Sequence, residues 1–198
     1  MTVLVLASAS AARARLLTAA GVAAERDPAG VDEARVKAES RRRGHSAVEC
    51  AQRLAEAKAR AVAARHSTRL VLGADQILDC DGRWFDKPAD RADARAQLGA
   101  LNGRTHELVT AATIVRDGEV LWCALERPRL TMRHCGEGFL EGYLAAMGDR
   151  VLSTVGGYEL EGYGVQLMAR IEGDCFSVLG LPLLGVLEFL RATGALAS

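Results

Sequence analysis

Asp75 follows a run of apolar residues, and a lysine stands twelve positions further on at Lys87. Leu70-Val71-Leu72 reads as a short buried strand. The segment Gly73-Ala74-Asp75-Gln76 then delivers the Asp75 carboxylate at the strand's end, beside glycine-marked breaks at Gly73 and at Asp81-Gly82. Ligands of open α/β sheets collect at strand ends. Across a hairpin predicted at Asp81-Gly82, Asp86-Lys87-Pro88 adds an ammonium group. A metal-binding or basic carboxylate with a phosphate-binding lysine suits phosphoryl chemistry, where positioning and charge neutralisation do most of the work.

A second concentration of polar groups lies at the amino end. Val3–Leu6 is an apolar run typical of a buried strand, and Ser8 and Ser10 follow it. Ser10 can cap a helix from about Ala11 to Ala20, closed by Gly21. Strand, serine turn and helix N-terminus together make a site for an anion. Arg13 in the first turn is mildly unfavourable there unless an anion binds. The same residues also satisfy an ordinary N-cap with a solvated arginine.

Only three of the 25 basic residues are lysine, namely Lys37, Lys58 and Lys87. In so arginine-rich a chain, the remaining lysines are candidates for compact ammonium charges that meet phosphate as point donors. Lys58 falls at the rim of the apolar stripe Val48, Ala51, Leu54, Ala55, Ala59 and Val62, on a helix expected from Ser46 to about His66. Asp32-Glu33 is expected in a loop before the charged segment Arg35–Arg43, whose Arg41-Arg42-Arg43 reads as a solvated face.

The remaining elements must hold these groups in place. Asp90 should cap a helix from Arg91 to Leu101, ended by Asn102-Gly103. Arg104–Val115 reads as a long strand that turns at Asp117-Gly118 into Glu119–Ala124. A strand over Arg127–Arg133 and a helix over Gly136–Met147 follow. Gly156–Gly164 reads as a flexible connection and matches neither the Walker nor the Rossmann phosphate-loop pattern. Val165–Ile171 is expected as a strand, Glu172-Gly173-Asp174 as a turn, and Gly180-Leu181-Pro182 as the opening of a last helix. Strand-helix-strand at the start and an antiparallel meander later imply an α/β chain with a mixed sheet, or two lobes with a cleft between them.

The 198 residues suffice for one compact domain, and 49% hydrophobic content with 25% charged residues is ordinary for a globular chain. Twenty-five basic residues balance 25 acidic ones, which argues against a nucleic-acid partner. No apolar stretch approaches the roughly 20 residues a membrane span needs, and Thr2–Ala7 is too short for a signal-peptide core. Five widely spaced cysteines without a Cys-x-x-Cys pair read as a reduced, cytoplasmic protein lacking a zinc knuckle.

Taken in order, eight pieces resemble the Maf family of nucleoside triphosphate pyrophosphatases. They are Leu6-Ala7-Ser8-Ala9-Ser10 with Arg13-x-x-Leu16-Leu17, Asp32-Glu33, Leu54-Ala55-x-x-Lys58-Ala59, Gly73-Ala74-Asp75, Lys87-Pro88, Leu101-x-Gly103-Arg104-Thr105-His106, Glu172-Gly173-Asp174 and Gly180-Leu181-Pro182. The resemblance implies a single domain over residues 1–198. Its fold would resemble the inosine triphosphate pyrophosphatases, an elongated mixed-sheet α/β structure with a central cleft between two lobes. It implies house-cleaning hydrolysis between the α and β phosphates with a divalent cation, Mg²⁺ or Mn²⁺, and is compatible with a homodimer. By position, Asp75 looks like the residue that activates water, Glu33 and Asp75 like metal ligands, and Ser8, Ser10, Arg13, Lys58 and Lys87 like phosphate contacts.

Three positions bear on the base. The branch of the family acting on dTTP and UTP typically has Arg, Thr and Gln where this chain has Ala12, Gln76 and Glu161. The branch acting on 7-methyl-GTP has an aromatic residue, Gln and Glu. Gln76 and Glu161 resemble the second branch, Ala12 neither, and Gly156-Gly157-Tyr158 the first. A rival reading is a cell-division regulator that binds nucleotide without turnover, against which the set Glu33, Lys58, Asp75 and Lys87 argues.

Overall fold

A computed structural model describes residues 4–197. The chain divides into two compact units. The first comprises residues up to Gln76, Val109–Glu126 and the chain from Asp174; the second comprises Ile77–Leu108 and Arg127–Gly173.

In the first unit, β1 (Leu4–Leu6) pairs in parallel with β2 (Ala24–Arg26) on one side and β3 (Leu70–Cys80) on the other. Helix α1 (Ala11–Ala19) follows β1, with Ser10 as its N-cap and Gly21 in the left-handed region after its end. Two helices join β2 to β3, α2 (Glu33–Arg42) and α3 (Ala47–Ala63), the latter opened by a reciprocal capping box between Ser46 and Glu49. Two expectations are corrected here. Asp32-Glu33 is not loop, because Asp32 caps α2 through a hydrogen bond from the Arg35 N–H and Glu33 is the helix's first residue. The strand does not end before Asp75 either. It runs eleven residues, from Leu70 to Cys80.

Strand alternation explains the core. Leu4, Leu6, Leu70, Leu72 and Ala74 face one side of the sheet with Leu17 of α1 and with Leu183, Val186 and Leu190 of the closing helix α7 (Leu183–Ala192). Val5, Ala7 and Val71 face the other side with Ala59, Val62 and Ala63 of α3. Each fully buried leucine is worth about 2 kcal/mol. The same alternation puts Gly73 and Asp75 on the α3 face. A Cβ at Gly73 would lie 2.1 Å from the carbonyl oxygen of Ala55, so only glycine lets α3 approach this closely.

Long strand β5 (Thr105–Arg116) carries an antiparallel partner, β6 (Glu119–Glu126), across Asp117-Gly118. In the second unit, β3 turns at Asp81-Gly82 into β4 (Arg83–Phe85), and β5 pairs with β7 (Arg129–Met132), which pairs with β8 (Met168–Glu172), all antiparallel. Strand order is β2-β1-β3-β5-β7-β8, with β4 on β3 and β6 on β5, so the sheet is mixed and the chain α/β. Helix α4 (Arg91–Leu101) matches its expected span with Asp90 as cap, and α5 (Glu137–Met147) follows β7. Short helix α6 (Cys175–Val178) is capped by Asp174.

The glycine-rich segment is not a loose connection. Gly156, Gly157 and Tyr158 are buried, the Tyr143 hydroxyl donates to the Gly157 carbonyl at 3.1 Å, and Tyr158 Oη lies 2.6 Å from His106 Nε2. Burial holds His106 down at about 4 and pushes Tyr143 up to about 12. Tyr163–Leu167 forms a 3-10 turn, where a strand is expected from Val165. The packing of Gly164 against the Glu159 backbone and the bond from Val165 N–H to Gly162 O close the chain too tightly for extension.

Candidate active site

Helix α3 and strand β3 bring together two groups of opposite charge. Lys58 sits one turn beyond Leu54 and Ala55, on the stripe that packs against Gly73, and is only 7% exposed. It is therefore buried beneath the sheet's α3 face, not a solvated rim residue. Its Nζ donates to Asp75 Oδ1 at 2.6 Å and meets Glu33 Oε1 at 2.7 Å. Glu33 reaches it from the first turn of α2, with nearly half of its side chain exposed. Burial works against ionisation of Glu33, but Lys58, then Lys37 and Arg13, hold its carboxyl below the ordinary range.

The second oxygen of Asp75, Oδ2, is buried with no hydrogen-bond partner. Native interiors rarely leave such an acceptor unsatisfied, and an ionised one is costlier still. On its free side this carboxylate has the chemistry to take a proton from water or to ligate a hard cation.

Arg13 completes the charged set. Its Nε donates to the Gly180 carbonyl at 2.7 Å and its Nη1 to Ser8 Oγ at 3.1 Å. Burial lowers its pKa, while the Asp75 and Glu33 carboxylates act to raise it. Ser8 Oγ also accepts from the Ser10 N–H at 3.2 Å, and Ser10 Oγ accepts from the Arg13 N–H at 3.4 Å. The serine turn is thus held by its own hydrogen bonds, with the N-terminus of α1 behind it. Six expected site residues therefore share one network or its immediate turn: Ser8, Ser10, Arg13, Glu33, Lys58 and Asp75. Ala12 is half-buried in the first turn of α1.

Gln76 points to the opposite face of β3. Its Nε2 donates to Thr110 Oγ1 and to the Ser177 carbonyl, each at 2.9 Å. A carbonyl acceptor demands the amide nitrogen, so the amide oxygen is the end turned away. Lys87 and Glu161 belong to the second unit, and both are exposed.

The family profile described as Maf-like protein matches residues 3–193. The chain belongs to the Maf family. It is 52% identical over 191 residues to a nucleoside triphosphate pyrophosphatase of Paramagnetospirillum magneticum, covering 96% of this chain and 98% of that one. It is 50% identical to a protein of the same name from Granulibacter bethesdensis, with 98% of each chain covered. A 7-methyl-GTP pyrophosphatase of Mesorhizobium japonicum is 46% identical, covering 98% of this chain and 97% of that one.

The donor set of this Maf protein fits a divalent hard cation. Glu33 and Asp75 would hold it, and the orphaned Asp75 Oδ2 shows that the Asp75 carboxylate still has an open acceptor position. Among the described residues no group of three or more His, Cys, Asp or Glu side chains is placed to hold a metal ion, so protein ligands alone would not complete its shell. Mg²⁺ is commonly bound in this way, through one or two carboxylates with the rest of its shell from water and substrate phosphate.

Several residues that shape the site have contacts there that were not expected from the sequence. Gly180 supplies the carbonyl that holds Arg13 from 167 positions away, and Thr110 with Ser177 orients Gln76. Asp174 accepts from the Phe176 and Ser177 N–H groups and so fixes α6. Gly180 and Asp174 stand within motifs of the resemblance, but only the fold brings them to Arg13 and Gln76. Among the described residues no helix is long and apolar enough to cross a membrane.

Proposed function

We propose that this protein hydrolyses nucleoside triphosphates between the α and β phosphates, releasing pyrophosphate and a monophosphate, with residues 1–198 acting as one catalytic domain. The unsatisfied Asp75 Oδ2, beside an ammonium, a guanidinium and a second carboxylate, carries this reading. Asp75 takes the proton from the attacking water through that oxygen. Lys58 and Arg13 hold phosphate oxygens, Ser8 and Ser10 add the hydroxyls and N–H groups of the serine turn, and Lys87 contributes a further ammonium. A divalent cation, when bound, neutralises the triphosphate and polarises the attacked phosphorus.

The names of the relatives support the activity, and one of them supports a methylated guanine substrate. Glu161, with two acceptor oxygens, suits the N1–H and 2-amino donors of guanine. A screen of nucleoside triphosphates, modified ones included, tests the reading by pyrophosphate release with Mg²⁺, with Mn²⁺ and with excess chelator. Release from at least one substrate, abolished by chelator, is expected; undiminished turnover in chelator would refute the metal assignment. Turnover of dTTP or UTP above 7-methyl-GTP would overturn the base preference.

A further inference from the structure

Lys58 stands between the two carboxylates expected to ligate a cation, within 2.7 Å of each, and it is buried there. Its ammonium already supplies the positive charge that those carboxylates require. Lys58 and Arg13 balance Glu33 and Asp75, and Lys37 adds a further positive charge that acts on Glu33, so these carboxylates carry no negative excess. Adding a dication with Lys58 in place would leave an uncompensated double charge beside the buried Lys58 and Asp75, where like charges repel more strongly than in water.

We infer that Lys58 is an internal cation that excludes the metal from the substrate-free site and yields its carboxylates only when a triphosphate arrives. This rests on the reading of Glu33 and Asp75 as metal ligands. A triphosphate brings roughly four negative charges, which offer the ammonium new partners. The four-carbon lysine stem has the reach and freedom to exchange one set for the other. Glu33 Oε1 and Asp75 Oδ1 then become available as ligand atoms, and Asp75 Oδ2 stays free to take the proton from water. Metal and nucleotide consequently bind with mutual dependence, each raising the affinity for the other. The order protects Glu33 and Asp75 from idle metal loading and ties charge neutralisation to the presence of substrate.

Mn²⁺ binding to the substrate-free protein at pH 8 tests this without turnover, followed by electron paramagnetic resonance. Lys58→Met keeps the packed stem and removes the charge. It should bind Mn²⁺ alone on the order of tenfold more tightly than wild type, and the added Glu33→Gln should abolish the gain. Equal Mn²⁺ affinity in Lys58→Met and wild type would overturn the inference, even if wild type still releases pyrophosphate in a metal-dependent way. Failure of wild type to bind Mn²⁺ with an α,β-methylene triphosphate present would overturn the metal-site reading with it.

If Lys58→Met does not fold, ¹⁵N-lysine NMR of the wild-type chain decides. Three lysines give an assignable spectrum. The Lys58 ammonium resonance should stay in place with Mg²⁺ alone and move when the methylene analogue is added with Mg²⁺. Movement with Mg²⁺ alone would refute the exclusion.

Discussion

Gly73→Ala isolates the geometry on which the site depends without touching a charged group. The added methyl would lie 2.1 Å from the Ala55 carbonyl oxygen, 2.6 Å from the Ala59 nitrogen and 2.9 Å from the Ala59 Cβ. Close carbon–oxygen contacts settle at about 3.3 Å, so α3 must retreat by roughly 1 Å. The first two atoms are backbone and the third is a Cβ fixed to it, all in a 17-residue helix, so no side-chain rotation can relieve the clash. Lys58 rides on the same turn as Ala59. Its 2.6 Å bond to Asp75 would stretch beyond the roughly 3.2 Å limit of a good hydrogen bond. Overpacking of this kind costs about 1–3 kcal/mol, and each kcal/mol lowers Tm by about 2–4 °C in a chain this long. A displacement of about 1 Å at a catalytic group costs on the order of 10²-fold in rate. Pyrophosphate release under steady-state conditions, with a thermal melt of the same preparation, gives both readouts. Gly142→Ala serves as control, because that helical glycine is exposed with nothing within 4 Å of the added carbon. The control should hold activity and gain up to about 1 kcal/mol from helix propensity. If Gly73→Ala keeps kcat/KM within threefold and Tm unchanged, α3 is not fixed by β3, and the positioning argument for Lys58 fails.

Asp75→Asn should lower kcat by about 10²-fold or more by removing the base. Lys58 keeps Glu33 as partner in that variant, so the melt should stay within about 4 °C of wild type, the shift for roughly 1 kcal/mol; near-normal kcat would make Glu33 the candidate base instead. His106 is 2% exposed, and burial lowers its pKa from 6.5 to about 4. The unfolded chain therefore binds the extra proton first as pH falls. The stability from neutral His106 is full above pH 6.5 and lost progressively toward pH 4, to a total of about 3 kcal/mol. His106→Gln should flatten the fall in Tm over that window, and an unchanged slope would assign it to other groups. Glu161→Gln should reduce kcat/KM for 7-methyl-GTP more than for UTP, and equal effects on both would show that Glu161 does not read the base.

Elements bounded by strong local chemistry were legible in the sequence. Ser10, Ser46 and Asp90 each cap the helix expected of them, and Asp81-Gly82 and Asp117-Gly118 turn the two hairpins with both residues of each pair at positive φ. The parallel start and antiparallel meander followed from element order. Boundaries failed where tertiary contacts overrode propensity. Gly73 and Asp75 are poor strand formers, yet β3 continues through them because α3 covers one face of the sheet. Asp32-Glu33 lacks an apolar stripe to announce a helix, yet Asp32 provides the cap.

The partners of Lys58 were the least legible feature of the site, and the cause is physical. A helical wheel places a lysine at the rim on the assumption that water lies beyond the stripe, where its head can remain solvated. Here α2 and β3 occupy that space, and each contributes a carboxylate. A buried ammonium persists only where it is paired, so the identity of its partners had to come from the fold. The alternation that puts Val71 in the core also puts Asp75 on the α3 face two pleats later. The helical period that puts Leu54 and Ala55 in the core puts Lys58 one turn later on the same stripe. The two periods bring their charged residues to the same point because Gly73 removes the one side chain that would hold helix and strand apart. The pairing of Lys58 with Asp75 is therefore a consequence of how the core packs, and the apolar pattern that stabilises the first unit also aligns its charged groups.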